Sequence, residues 1–263
     1  MPVPHAPTLS GADESHVSVH SVTMSDLSDA LRKGVSDFWR HPSHYLFIAL
    51  IYPVMGIVLA VWSAGGSAFS LLYPLATGFA LLGPVAALGL YELSRRREQG
   101  LDDSPRHALS VLHHPAIGSM LVVGLYLAVV FAAWLAAAAA LYNAFLGANP
   151  PEGILELITA TLTTPAGQGL LLWGNVVGIG FALLVLATTA IAFPLLVDRG
   201  GSAGRAIATS IRAFFASPAT FLAWGLIVAA ILLVASIPLF VGLAIALPIL
   251  GHATWHLYRK ATD

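Results

Sequence analysis

The sequence predicts an all-α integral membrane protein of six transmembrane helices. They form three hairpins, each preceded by a short interfacial helix, with both termini cytoplasmic. Three observations carry this reading. Of 263 residues, 57% are apolar and only 10% are Asp, Glu, Lys or Arg, where a soluble domain has about 45–50% and about 25%. Five long stretches contain no Asp, Glu, Lys, Arg or His. All 12 Lys and Arg residues fall in four places along the chain. Such a composition excludes an ordinary cytosolic enzyme and a disordered chain alike. The balance of 12 basic and 13 acidic residues gives no field for nucleic acid. With no cysteine, disulfides, thiolate metal sites and cysteine nucleophiles are ruled out.

Residues 1–25, rich in Ser, His and Pro, are expected to be a disordered cytoplasmic tail. Residues 1–24 hold no apolar core of the length a cleavable signal peptide needs. Residues 26–263 then form a single transmembrane domain. The uncharged stretches are residues 45–62, 71–91, 116–142, 169–197 and 219–251. A spanning helix needs roughly 20 apolar residues, so the first four read as one span each. The fifth holds 33 residues and would be roughly 50 Å long as a single helix, too long for tilt to absorb. It reads as two short helices turning near Ser236, Ile237 and Pro238, which makes six spans, with five as the alternative. Charge placement favours six. Arg32, Lys33 and Arg40 precede the first span. Arg95, Arg96, Arg97 and Arg106 follow the second, Arg199, Arg205 and Arg212 the fourth, and Arg259 and Lys260 the last. Basic residues stay cytoplasmic during insertion, and six spans put every one of them inside.

Residues 29–42, 104–115 and 205–218 read alike, each a helix-period stretch ending in His-Pro or Ser-Pro before a span. In the first, Leu27, Leu31, Val35 and Phe38 share a face. In the third, Ile207, Ile211, Phe214 and Phe215 do. Such faces are expected to lie down in the headgroup region, with Pro ending the surface helix. The exits also match. From Pro84 to Arg95–Arg96 the spacing equals that from Pro248 to Arg259–Lys260, which aligns Tyr91 with Trp255 and Leu93 with Leu257. We read three repeated units, each a surface helix plus a two-span hairpin.

Within the spans, Gly174 and Gly178, followed by Gly180, and the run at 136–140 offer close-packing faces. Asn175, an amide well inside a span, is expected to hydrogen-bond a neighbouring helix. In the outer loop, Ile154, Ile158 and Leu162 at i, i+4 and i+8 predict a short surface helix.

Chemistry is sparse. His252 and His256 lie one turn apart, a spacing that can ligate a metal or a haem. His113 with His114, and His41 with His44, flank other spans. Interfacial histidines more often bond headgroups and loop backbone, so no catalytic, cofactor or metal residue is assigned. Glu92, Asp198 and His256, with Arg95, Arg199 and Arg259, are a candidate polar collar at the cytoplasmic mouth, one set per unit. No Asp, Glu, Lys or Arg lies deep in a stretch, as proton relays and ion-coupled transport require, and hydrolase and nucleotide-binding motifs are missing.

The runs 78–96, 193–199 and 247–259 resemble a bacterial family of uncharacterised integral membrane proteins, classed as a domain of unknown function (family 2189). The resemblance extends over roughly residues 26–260. Some members carry a label relating them to cytochrome c oxidase subunit I, a longer bundle with histidines deep in its helices, where these lie at helix ends. The resemblance implies a multi-pass protein of the bacterial inner membrane and no particular reaction. The leading expectation is a non-enzymatic scaffold, assembly factor or accessory subunit, with the bilayer and a larger membrane complex as partners. The alternatives are a passive channel or carrier for a small solute and a haem- or metal-binding accessory of a respiratory oxidase.

Overall fold

A computed structural model describes residues 17–40, 83–151, 153–238 and 242–262, with single positions 56, 74 and 81. Apart from those three positions, the expected first span and residues 71–82 of the second lie outside the described residues, as do residues 1–16. The described chain is helical: α1 (Met24–Arg40), α2 (Gly83–Ala86), α3 (Leu88–Glu98), a 3₁₀-helix (Pro105–His113), α4 (Ile117–Leu146), α5 (Ile154–Thr163), α6 (Pro165–Thr189), α7 (Ala192–Arg199), α8 (Ala203–Ala216), α9 (Pro218–Ser236) and α10 (Leu243–Ala261). Among the described residues the β pairing is a single bridge, Val19 with Thr262.

Local chemistry sets the helix ends. Thr164 caps α6 by accepting from the Gly167 N–H at 3.0 Å, and Ser202 caps α8 by accepting from Arg205 at 3.3 Å. Pro165 and Pro218 occupy first turns, where the missing N–H costs nothing. The stretch expected as one helix over 169–197 is broken at Ala190–Ile191, four residues before Pro194, where the proline ring meets the preceding turn. The Ile191 N–H turns to the Ser210 hydroxyl at 3.4 Å.

Among the described residues, three helical segments are long and apolar enough to cross a membrane: Ile117–Leu146, Pro165–Arg199 and Pro218–Ser236. Along α4 and α9 only a narrow stripe faces the protein, the lipid-type pattern, whereas α7 at the end of the second segment is buried from Ala192 to Val197. In α4 the stripe is Met120, Val123, Leu127, Val130, Trp134 and Ala138, while Leu121, Leu125 and Val129 are exposed. The last uncharged stretch does split, α9 ending at Ser236 and α10 starting at Leu243. Yet α10 is not among the three apolar segments. It carries His252, His256, Arg259 and Lys260, and it lies inside the protein, with Leu250, Gly251, His252, Trp255, Leu257 and Tyr258 all buried.

The exit helices α3, α7 and α10 pack on one another. Their aligned residues are equivalently placed, Tyr91 and Trp255 both buried, Leu93 and Leu257 fully so. Around them each surface helix lies on the exit helix of the preceding unit. The 3₁₀-helix packs on α3, α8 on α7, and α1 closes the ring on α10.

Two expectations change here. The buried face of α1 is Leu27, Ala30, Gly34, Asp37 and Phe38, while Val35 is exposed. On α8 it is Ala203, Ala206, Thr209, Ser210 and Ala213. On α1 the buried face includes Leu27 and Phe38 of the stripe expected to face lipid, but both helices turn a face rich in small residues to the protein. Gly34 shows why, since a Cβ there would lie 2.6 Å from the Ile249 carbonyl oxygen and 2.9 Å from the Ala253 Cβ. Residues 17–23, expected to be part of the tail, are packed instead. The His20 N–H donates to the Ala261 carbonyl at 2.9 Å. The Val22 N–H donates to Ser217 Oγ at 2.8 Å, and the Val22 carbonyl accepts from Thr220 at 2.9 Å. The outer-loop helix forms as α5, with Leu155, Ile158 and Leu162 exposed.

Candidate functional site: polar clusters at the basic end

The cationic ends of α3, α7 and α10 come together, because the ring places the three exits side by side. Glu92 of α3 is 3% exposed and takes both arms of Arg95, at 2.8 Å each. Asp198 of α7 accepts from the Tyr258 hydroxyl of α10 at 2.6 Å and from Arg259 Nη1 at 3.1 Å. Arg199 Nε lies 3.7 Å from the same carboxylate. Arg259 Nε reaches Glu98 of α3 at 3.3 Å. Of the expected collar, Asp198, Arg199 and Arg259 therefore lie together, with Arg259 joining Asp198 of α7 to Glu98 of α3, while Glu92 and Arg95 pair within α3.

His256 leaves the collar. Its Nε2 is 2.8 Å from Asp37 Oδ2 on α1, and Arg97 of α3 contacts Oδ1 of that carboxylate at 3.2 Å. Arg97 also holds Asp103 at 2.9 Å. One turn back, the wholly buried His252 places Nδ1 2.6 Å from Ser94 Oγ. The two histidines thus face separate partners and do not converge. His113 is exposed. His114 accepts from the Ala116 N–H through Nδ1 at 3.1 Å, and burial lowers its pKa. Among the described residues no group of three or more His, Asp or Glu is arranged to hold a metal ion. His41 and His44 lie outside them.

Burial pushes the Asp37 carboxyl up. The His256 hydrogen bond and the charges of His252, Arg97 and His256 outweigh it and hold the group below its ordinary value. Beside it, Lys260 reaches Asp26 and Asp29 at 3.2 Å each. Hydrogen bonds from Thr23, then Lys260, depress the Asp26 carboxyl, those from Arg32 and Lys33, then Lys260, depress Asp29, and both carboxylates raise the lysine.

Sequence reasoning passed over Asp37, Arg97, Asp103, Tyr258 and Ser94. The available signal was that Asp37 continues the small-residue face of Ala30 and Gly34. Asn175 donates to the Leu171 carbonyl of its own helix at 2.7 Å and lines a cleft of about 170 Å³ with Leu81, Trp134, Gly178 and Phe181. Of the α6 glycines, Gly178 is the one against Trp134.

Apolar helices with narrow protein-facing stripes, tied at one end by ion pairs, define a helical integral membrane protein. Residues 72–198 match the model of a family described as "Predicted integral membrane protein (DUF2189)". The matched segment runs through α7, and α8 to α10 lie beyond it. No curated protein and no solved structure matches the chain.

Proposed function

We propose that this is a multi-pass protein of the bacterial inner membrane that acts as a non-enzymatic scaffold or accessory subunit. It crosses six times as three hairpins, with both termini in the cytoplasm. The observation that carries the reading is the use made of the polar side chains. Asp198, Asp37, Arg97, His256 and Arg259 all bond partners on neighbouring helices or turns, and Glu92 pairs with Arg95 of its own helix, so they fasten a bundle and do not converge on a cleft. The arrangement also supports six spans. Arg259 sits against Glu98 and Asp198, so the last cations share an end with those after α3 and α7, as positive-inside insertion requires. Although polar, α10 can serve as the sixth span, because protein and not lipid surrounds it.

Isolation from native membranes in mild detergent tests the role. Co-purification of the chain with a larger membrane complex is expected. A lone monomer under conditions that keep known membrane complexes together overturns it.

A further inference from the structure

We propose that three equivalent side chains, Trp39, Leu112 and Phe215, anchor the basic end of the protein in the adjacent bilayer leaflet. They insert at the boundary between lipid headgroups and acyl chains. The inference rests on the membrane reading above and assigns a role to residues that reading leaves unused.

Each residue lies three positions before the proline that precedes an apolar stretch, namely Pro42, Pro115 and Pro218. Each is far out of the protein, with 68%, 59% and 71% of its surface exposed. The residue just before it does the opposite. Phe38 and Val111 are buried, and Phe214 packs on the core. In every unit two consecutive apolar side chains therefore diverge, one inward and one outward. The two aromatic pairs do so with closely similar geometry, Phe38–Trp39 at 5.5 Å and 69° and Phe214–Phe215 at 5.4 Å and 87°. Threefold recurrence at one register points to a common surrounding medium and not to a partner fitted to one patch.

Continuity identifies that medium as lipid. Beyond Leu112 the exposed surface runs on along α4 through Leu121, Val122 and Leu125. Beyond Phe215 it runs along α9 through Leu222 and Leu226. Leu109, 67% exposed, widens the patch in the middle unit. Exposed cations stand close in sequence, Arg40 beside Trp39, Arg106 before Leu112 and Arg212 before Phe215. An apolar or aromatic side chain next to a cation is the pairing that anionic headgroups accommodate. The surface helices thus touch lipid through their last turn, while their small-residue faces hold the protein together.

The chain has no cysteine, so full-length W39C, L112C and F215C can each carry one nitroxide label. The protein is reconstituted in bilayers of phosphatidylethanolamine and phosphatidylglycerol. Power-saturation spectra with oxygen and with an aqueous nickel chelate then report depth. All three labels are expected to be more accessible to oxygen than to nickel, at a common depth of about 5–10 Å below the phosphates. Dominant nickel access, meaning water, overturns the proposal, as does exclusion of both reagents, meaning a protein cover. Labels at Leu125 and Leu226 separate the two readings. If they report acyl chains while the ring positions report water, the anchor fails alone; if they too report water, the membrane reading fails with it.

Discussion

Gly34 and Asp37 stand three residues apart on α1 and do different work in the same contact. Gly34 sets the distance. Any side chain there must displace Ile249 backbone or Ala253, and overpacking of this kind costs about 1–3 kcal/mol. Gly34→Val is accordingly expected to lower the thermal midpoint in detergent, and Gly34→Ala to do so less. Asp37 sets the register through His256 and Arg97. Asp37→Asn removes the charge that faces both and should cost about 1–3 kcal/mol. The same variant checks the pH dependence. Because the folded Asp37 pKa lies below its ordinary value, its contribution is fully present above about pH 4 and is lost as pH falls through the folded value. Thermal unfolding followed downward from about pH 5 should therefore show a steeper loss for the parent than for Asp37→Asn. Equal slopes would remove Asp37 from the acid response. None of this partnership was legible in the sequence, because Asp37 and His256 are separated by nearly the whole chain. A carboxylate on an amphipathic helix reads as a solvated face until the helix that covers it is known.

Among the elements, the helices whose ends depend on local chemistry were legible and those that depend on tertiary cover were not. Pro218 and the turn after Ser236 announced α9, and the uncharged run announced α4. The extent of α10 was legible from the exit spacing that runs from Pro248 to Lys260, close to its end at Ala261, but its place inside the protein was not. Only burial against α1, α3 and α7 makes those last polar turns part of the interior. The break before α7 was available from Pro194 but was masked by unbroken hydropathy. The packed segment 17–23 was hidden for another reason: its bonds go to Ser217, Thr220 and Ala261, at the other end of the chain. That clasp gives an element-scale prediction. Ser217→Ala leaves the Val22 N–H without its acceptor and should cost about 1 kcal/mol. It should also speed proteolysis and amide exchange at residues 17–23 while leaving α4 and α6 protected. Uniform loss of protection would mean that Ser217 supports the whole bundle and not the clasp.

At the scale of the molecule, the ring of units explains why the repeat was visible and why its closure was not. Repeated spacing from proline to paired cations is a property of each unit, so it survives in the sequence. Two of the joints between units join neighbours in the chain, the 3₁₀-helix on α3 and α8 on α7, but the third brings α1 onto α10 across the full length. That closure places Lys260 against Asp26 and Asp29 on α1 and Arg259 against α3 and α7. The carboxyl end of the chain is thereby bound to the side of the protein that carries the other cations.

A topology measurement follows from this closure, and its sign is fixed by the contacts. Single cysteines replacing Asp263 and Asn149, one following α10 in the chain and one between α4 and α5, are to be probed in intact cells with a membrane-impermeant maleimide. Asn149→Cys is expected to react, and Asp263→Cys only after the membrane is permeabilised. Reaction of both in intact cells would put the end of α10 across the bilayer from Asp198. It would make the Arg259–Asp198 and Lys260–Asp26 pairs unattainable in the membrane and reduce the six spans to five. The ion pairs make the outcome sharper than charge counting alone, because solvent-edge pairs of this kind contribute little individually and cannot hold a helix on the wrong side. They report where insertion has already placed it.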